Sequence, residues 1–224
     1  NQDYLGEVRV FLVDDQSRDN TSATALNIAR VFGKKDQFTL INGEPLIEGW
    51  AGKVWALYQG IREAEGHSSE FLLLTDADIM LDSHSLNSLV DKAQREGLDL
   101  VSVMAQLRVD TMWDRFLLPA YVLFFAKLYP FRWSNNSNRS TAAAAGGCML
   151  VRREALSRAG GMESIAGDLI DDCALAHRLK RHCGLKSGKI WLGLTKDVSS
   201  RRRYGSISSL WDLVARTAFA QIKF

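Results

Sequence analysis

The 224-residue chain has little cysteine, no dominant charge and no apolar run long enough to span a bilayer. Its three cysteines, Cys148, Cys173 and Cys183, are odd in number and stand at no zinc-like spacing. That excludes a disulfide miniprotein and a structural zinc module, and suits a reducing compartment. Lys and Arg number 28 against 26 Asp and Glu, so there is no general basic field to hold a nucleic-acid backbone, and no nucleic-acid partner is expected. The most apolar stretch, residues 116–129 (FLLPAYVLFFAKLY), falls short of the roughly 20 residues that cross a membrane. Internal repeats and low-complexity linkers are also absent. The three Asn-x-Ser/Thr patterns, at Asn20, Asn135 and Asn138, matter only in a secretory context, and chance accounts for them.

What is present is a chain 46% hydrophobic and 24% charged, enough for one sizeable core. The near-zero net charge hides an asymmetry. Residues 173–224 hold 11 Lys and Arg against 2 acids, and residues 1–172 hold 17 against 24, so an acidic body carries a basic tail.

Short apolar runs alternate with helical spacing: strands at 8–13, 38–41, 71–75 and 98–104, helices at 21–32, 53–64 and 85–96. Strands that read apolar throughout, separated by helices, predict an α/β fold with a mainly parallel sheet covered by helices on both faces. Ligands of such sheets bind beyond the carboxyl ends of the strands, where Asp14-Asp15 and Asp76-Ala77-Asp78 both fall. For residues 116–129 two readings stand: a buried helix, or a helix in the membrane interface with Trp113, Tyr129 and Trp133 at headgroup level. A polar loop is expected at 132–141. After it come a small-residue strand at 142–151, a helix from Arg152, a break at Gly160-Gly161, a helix at 169–182 and a short strand at 190–192.

Asp76 and Asp78 are projected from the end of a buried strand with one residue between them, so alternation sends both side chains the same way. Hard oxygens at that spacing suit Mg²⁺ or Mn²⁺ held jointly with substrate phosphates, although an isolated pair also fits a solvated turn. In VDDQSRDNT, Ser17, Asp19, Asn20 and Thr21 are capping residues for the next helix. Asp14 and Asp15 repel each other at a strand end, which is better tolerated where one accepts hydrogen bonds from a base or ribose. Asp171 and Asp172 open the helix at 169, where the helix dipole favours acids; being adjacent, they take different faces, so one is free to serve as a general base. Arg201-Arg202-Arg203-Tyr204 is the densest positive run, read either as solvated or membrane-facing surface or as a clamp on a diphosphate leaving group with the ring lining the acceptor site. Residues 49–53 (GWAGK) fail the phosphate-loop pattern, with Ile47 in place of the first glycine and Val54 in place of Ser or Thr.

In order, VDD-x-S-x-DNT, then Asp76-x-Asp78, then Gly160-Gly161 followed by an acidic pair, then an arginine run ending in an aromatic, resemble the family 2 inverting glycosyltransferases of GT-A fold. Within that family GWAGKVWAL, LLPAYVLFFAKLYPFRW and SSRRRYGS resemble the glycosyltransferase associated with hopanoid biosynthesis. The resemblance implies a nucleoside-diphosphate sugar donor, usually a UDP-sugar. It implies that Asp15 binds the base, with Asp14 and Lys53 in the donor pocket, that Asp76 approaches the ribose, and that Asp78 holds Mn²⁺ or Mg²⁺, with Asp76 beside it. It makes Asp172 the general base, with Asp171 standing where the family has Glu, and it places Arg202, Arg203 and Tyr204 on the substrate. Ser200 replaces the Gln of the Gln-x-x-Arg-Trp pattern of processive members, which argues against polymer synthesis.

The same resemblance implies a first strand that precedes Asn1, C-terminal membrane helices that follow, and a catalytic region at the cytoplasmic face of a membrane with a lipid-type acceptor. Residues 1–104 are expected to form the nucleotide-sugar half of one integrated domain. Residues 105–224 are expected to form the acceptor and catalytic half, in which 113–129 is the helix open to either the buried or the interface reading. Two rival readings are a haloacid-dehalogenase-like phosphatase, in which Asp76 of LLLTDADIML is the nucleophile and GDLIDD the metal motif, and a non-catalytic nucleotide-sugar-binding module.

Overall fold

A computed structural model describes residues 2–181 and 188–222. Cys183, and His182 at the expected end of the helix from 169, lie outside them. By packing, the chain divides into two compact units: residues 4–69 with 162–168, and residues 70–161 with 169 onward and the first three residues. The halves expected at 1–104 and 105–224 are a division by function and not by packing.

In the smaller unit, β1 (Val10–Asp14) pairs in parallel with β2 (Phe38–Asn42), from Val10 opposite Phe38 to Asp14 opposite Asn42. The connection is α1 (Thr21–Val31), and α2 (Gly52–Glu63) packs back on β1. Val54, Trp55 and Gln59 form the buried face of α2, two turns at helical spacing. Gln59 is buried because its side chain is bonded: Oε1 accepts from the Glu44 N–H at 2.6 Å.

The larger unit is built on a five-stranded sheet in the order β3 (Phe71–Thr75), β6 (Cys148–Arg152), β5 (Leu100–Gln106), β7 (Ile190–Ser200), β4 (Ile79–Leu81). Only β5 and β7 pair in parallel; β3–β6, β5–β6 and β4–β7 are antiparallel, so the sheet is mixed. The α/β class expected from the alternation of strands and helices holds. Its helices are α3 (Ser85–Glu96), α4 (Met112–Leu128), α5 (Phe131–Ser134), α6 (Arg153–Arg158), α7 (Asp171–Arg181) and α8 (Ile207–Ile222). Leu86, Leu89, Val90 and Ala93 of α3 and Leu175, Ala176 and Leu179 of α7 are buried with Leu100, Leu150 and Leu192 of the strands. Each large apolar side chain so buried contributes about 1.5–3 kcal/mol.

Several elements differ from expectation for local reasons. The strand expected at 98–104 begins at Leu100, because Gly97 (φ 61°) ends α3 in the left-handed conformation and the Leu98 N–H is spent on Ala93 C=O at 2.8 Å. The strand expected at 142–151 begins only at Cys148. Ahead of it, Ala145 N–H bonds Ser102 Oγ at 2.8 Å and Gly146 N–H bonds a side-chain carboxylate, so that backbone is committed to side chains and forms no ladder. The expected three-residue strand at 190–192 is eleven residues long, its first half laddered to β5 and its last three residues to β4. The polar loop expected at 132–141 begins only at Asn135, because α5 takes up 132–134, and within it Asn135 acts as a stand-in strand. Its side-chain nitrogen donates to Leu192 C=O at 3.0 Å and its Oδ1 accepts from Leu192 N–H at 2.7 Å. That amide is occupied, which agrees with reading its Asn-x-Ser pattern as chance. The amine of Lys180, buried, donates to the carbonyls of Ser134 (2.7 Å), Thr141 (2.6 Å) and Trp133 (3.3 Å), which ties the 134–141 segment to α7.

Candidate active site

Within the larger unit the registers bring one end of every strand to a common edge. Thr75 lies opposite Cys148, Gln106 opposite Ser199 and Ile79 opposite Ser200. The exit of β3, the entry of β6, the exits of β5 and β7 and the entry of β4 therefore all meet there. Asp76-Ala77-Asp78 is the turn from β3 to β4, closed by the Ile79 N–H to Asp76 C=O bond at 3.2 Å. Its two acids are half-buried and Ala77 between them is exposed.

Asp78 is held at two of its three acceptor oxygens. Ser200 Oγ donates to Asp78 Oδ2 at 2.7 Å, and the Arg201 N–H donates to Asp78 C=O at 2.7 Å. No described residue donates to Asp78 Oδ1. The buried Ser200 thus fixes the orientation of the carboxylate through one of its oxygens. Among the described residues no three or more His, Cys, Asp or Glu gather into a metal cage. That donor set fits a hard cation held by one or two carboxylates and completed by phosphate oxygens, not a closed protein site.

The segment 145–148 connects this turn to the start of α7. Gly147 C=O accepts from Asp76 N–H (3.3 Å) and from Thr75 Oγ1 (3.0 Å), while Gly146 N–H donates to Asp172 Oδ2 at 2.7 Å. Asp172 Oδ1 accepts from Cys173 N–H at 2.7 Å. Of the acidic pair, Asp171 is the buried member and Asp172 the half-exposed one, as different helical faces require. Cys173 and Tyr129 complete the surroundings. Tyr129 packs against the cluster that holds Cys173, whose thiol donates to Ala144 C=O at 3.8 Å; burial pushes both groups' pKa values well up, and the Asp172 charge adds to both shifts. Both stay protonated and neutral beside the carboxylate.

The arginine run continues from β7. Arg202 lies over the Tyr204 ring, 5.7 Å from its centroid, and its N–H bonds Ser200 Oγ at 3.1 Å. Arg203, largely exposed, pairs with Asp110 at 3.8 Å, and Arg201 reaches Met80 of β4. The β4–β7 ladder brings this cationic run to the turn that carries Asp78.

Asp14, Asp15 and Lys53 belong to the smaller unit. Asp14 is used by its own turn: Oδ1 accepts from Ser17 N–H at 2.9 Å and Oδ2 from the Ser22 hydroxyl, and hydrogen bonding by the Ser17 and Ser22 side chains, then by the Ser17 N–H, holds its carboxyl below the usual range. Its C=O also accepts from Gln16 and Gly43 N–H, with Gln16 in the left-handed region at φ 60°. Asp15 is exposed at the apex. Capping is narrower than expected, since Asn20 occupies the N-cap of α1 without a side-chain bond and Asp19 serves Thr21 instead. Lys53, exposed, is in the first turn of α2, whose start is anchored by Ala51 N–H to Ala166 C=O at 2.7 Å.

Sequence reasoning missed Gly43, Gly146, Gly147 and the Tyr129–Cys173 pair, and saw Ser200 only as a departure from a pattern. The adjacent glycines ahead of Cys148 were the available signal: a pair with no side chains fits a strand interior poorly.

The family model described as "Glycosyltransferase like family 2" matches residues 1–187. No curated protein matches. Among solved structures, TarS of S. aureus aligns over 96% of this chain and 35% of its own, at 15% identity and a TM-score of 0.55. Its 1–349 piece in complex with UDP aligns over 98% of this chain and 58% of its own, at 17% identity and a TM-score of 0.51. The chain thus spans less than two thirds of the solved proteins it resembles, and at these identities the likeness is one of fold, that of the GT-A glycosyltransferases. The family match takes in the VDD-x-S-x-DNT, Asp76-x-Asp78 and Gly160-Gly161 with acidic-pair motifs of the resemblance and ends before the arginine run, and the chain belongs to glycosyltransferase family 2.

Proposed function

We propose that this chain is the catalytic region of an inverting glycosyltransferase that moves one sugar from a nucleoside-diphosphate donor to a hydroxyl of a lipid-type acceptor. The observation that carries the reading is the Gly146-Gly147 bridge. One dipeptide bonds the Asp76–Asp78 turn on one side and the Asp172 carboxylate on the other, which couples the position of a diphosphate site to that of a base. Family membership and the UDP complex of a protein of similar fold support a UDP-sugar as donor. Residues 1–104 then serve the nucleotide sugar, and residues 105–224 the acceptor and the chemistry.

In this reading Asp15 accepts hydrogen bonds from the base, in the place that Asp14's turn builds for it, while Lys53 and Asp76 serve the rest of the donor. Asp78 would hold Mg²⁺ or Mn²⁺ together with the diphosphate, and such a cation, when bound, offsets the negative charge of the leaving group. Arg202 and Arg203 supply further positive charge to the diphosphate, and Tyr204 gives the acceptor side an aromatic surface. Asp172 removes the proton of the acceptor hydroxyl as its oxygen bonds to the anomeric carbon. The bond from that carbon to the diphosphate breaks, the pair of electrons leaves with the nucleoside diphosphate, and configuration inverts. Asp171 is buried in the first turn of α7, where the helix dipole favours an acid.

The acceptor is proposed as a lipid, with a hopanoid as the specific candidate from the sequence resemblance, and the protein is proposed to work at the cytoplasmic face of a membrane. Among the described residues no helix is long and apolar enough to cross one. Release of nucleoside diphosphate from a panel of UDP- and GDP-sugars, with and without Mn²⁺ or Mg²⁺, tests the reading. Metal-dependent release from one donor, lost in Asp78→Asn, supports it. Phosphate release from simple monoesters with no response to any sugar nucleotide overturns it in favour of the phosphatase reading.

A further inference from the structure

We propose that α4, with the start of α8 beside it, is a docking surface for an anionic lipid bilayer. This deepens the lipid-acceptor reading and rests on it for its purpose, while its test does not depend on turnover.

The helix is apolar on two opposite sides. One side, Leu118 and Phe125, is buried, Phe125 in a cluster with Ala143, Cys173 and Leu192. At about 100° per residue, Met112, Trp113, Phe116, Leu123, Phe124 and Leu128 form one continuous arc on the other side. All six are exposed, Phe116 to 66% and Leu123 to 59%. A helix apolar all round belongs in a core or against lipid, and a contiguous exposed apolar face on a folded chain marks a binding surface. Lys127 is the one charge in the arc, and its long stem lets the amine reach headgroups while the apolar face sinks below them. Seventeen residues with that charge lie along a bilayer and do not cross it. Packed against α4, α8 turns Ile207 and Trp211 outward one turn apart, Trp211 to 70%, and buries Leu210 between them.

Charge chooses the occupant. No acid occurs between Asp114 and Glu154, whereas Arg115, Lys127, Arg132 and Arg139 are all exposed. The two acids at the head of the helix are committed: Asp110 to Arg108 at 2.8 Å, and Asp114 to the N–H groups of Thr111 and Asp110. Arg139 lies over the exposed Trp133 ring at 5.4 Å, an aromatic and cationic pair suited to the headgroup layer. A basic rim around an apolar face attracts anionic headgroups and disfavours the same face of a second copy, whose charges repel.

The test is cosedimentation of the chain with phosphatidylglycerol–phosphatidylcholine vesicles and with pure phosphatidylcholine vesicles, alongside Phe116→Glu/Leu123→Glu and Arg115→Gln/Lys127→Gln. The wild type is expected to partition onto the anionic vesicles about tenfold better than onto neutral ones and to be released by salt. The glutamate pair should abolish binding, the glutamine pair should remove the preference for anionic lipid, and all three proteins should melt at the same temperature because the altered side chains are exposed. No binding by the wild type, or equal binding to both vesicles, overturns the proposal. So does a wild-type dimer in light scattering that the glutamate pair turns into monomer, which makes the occupant a second copy. UDP calorimetry run in parallel separates the two readings. Failed docking with UDP bound sinks this surface alone, and docking without UDP binding sinks the donor assignment alone.

Discussion

Ser200 donates its hydroxyl to Asp78 Oδ2 at 2.7 Å across 122 positions of chain, and its buried place at the end of β7 makes that bond a fixed one. A carboxylate oriented through one oxygen presents the other in a set direction, which is the usual service of an outer partner to a metal ligand. Ser200→Ala is therefore expected to weaken metal-dependent UDP binding roughly tenfold, with UDP binding in EDTA unchanged. Calorimetry with and without Mn²⁺ checks it, and equal losses in both conditions would assign Ser200 a merely structural role.

Gly43 is close enough to the Asp14-Asp15 turn that a side chain there has no room. A Cβ at that position would lie 2.9 Å from Asp14 O and 3.2 Å from Asp15 Cα, both backbone atoms that cannot rotate away. Gly43→Ala is expected to destabilise the chain by about 1–3 kcal/mol and, because the strain falls on the Asp15 turn, to weaken UDP binding as well. Thermal melts and UDP titration read the two effects. An Ala variant with native affinity would separate Asp15 from the donor.

Asp114 predicts an acid limb of stability. The Thr111 backbone N–H, with help from Asp110 and the Thr111 hydroxyl, lowers its pKa in the fold below the ordinary 3.8. A carboxyl lowered in the folded state stabilises the fold above 3.8, and that contribution disappears as pH falls through its folded value. Asp114→Asn should thus be less stable than wild type at neutral pH, with the difference shrinking below pH 3.8. Urea midpoints across that range measure it.

Burial pushes the Cys148 thiol up to about 12 and the Cys173 thiol well above 9.0, the Asp172 charge adding to the latter. The thiolate is the reactive form, so a raised pKa means protection at neutral and mildly alkaline pH. Iodoacetamide at pH 8 should leave Cys148 and Cys173 unmodified in the folded chain and label both in urea, as peptide mass spectrometry will show. Rapid labelling of Cys173 in the folded chain would contradict its buried place beside Asp172.

Much of this was legible in the sequence because it is local. The apolar run at 71–75 and the 85–96 spacing return as β3 and α3 with those bounds, since a buried strand leaves a continuous apolar run and an amphipathic helix face a periodic one. The acids at strand ends were legible for the same reason. What was not legible is long-range. Three-residue β4 exists only because residues 198–200 lie beside it, and Lys196 and Asp197 hid the length of β7 from any search for apolar runs. The parallel sheet expected from alternation is mixed because β6 and β4 enter antiparallel, a choice made by pairing partners and not by local propensity. Asp14 looked like a ligand group from its charge alone. Its use by Ser17 and Ser22 depends on a turn through Gln16 that no pattern announced. The apolar face of α4 was legible as composition, but that its two sides divide between core and solvent is a fact of packing.

The most direct test of the central claim compares Asp172→Asn with wild type for UDP binding and for nucleoside-diphosphate release, using the donor that the sugar-nucleotide panel identifies. The account predicts unchanged UDP affinity, since Asp172 is bonded by Gly146 and Cys173 and is assigned to the acceptor hydroxyl, together with release slowed by a factor of about 10²–10⁴. Release within a few-fold of wild type would contradict it and remove Asp172 as the base.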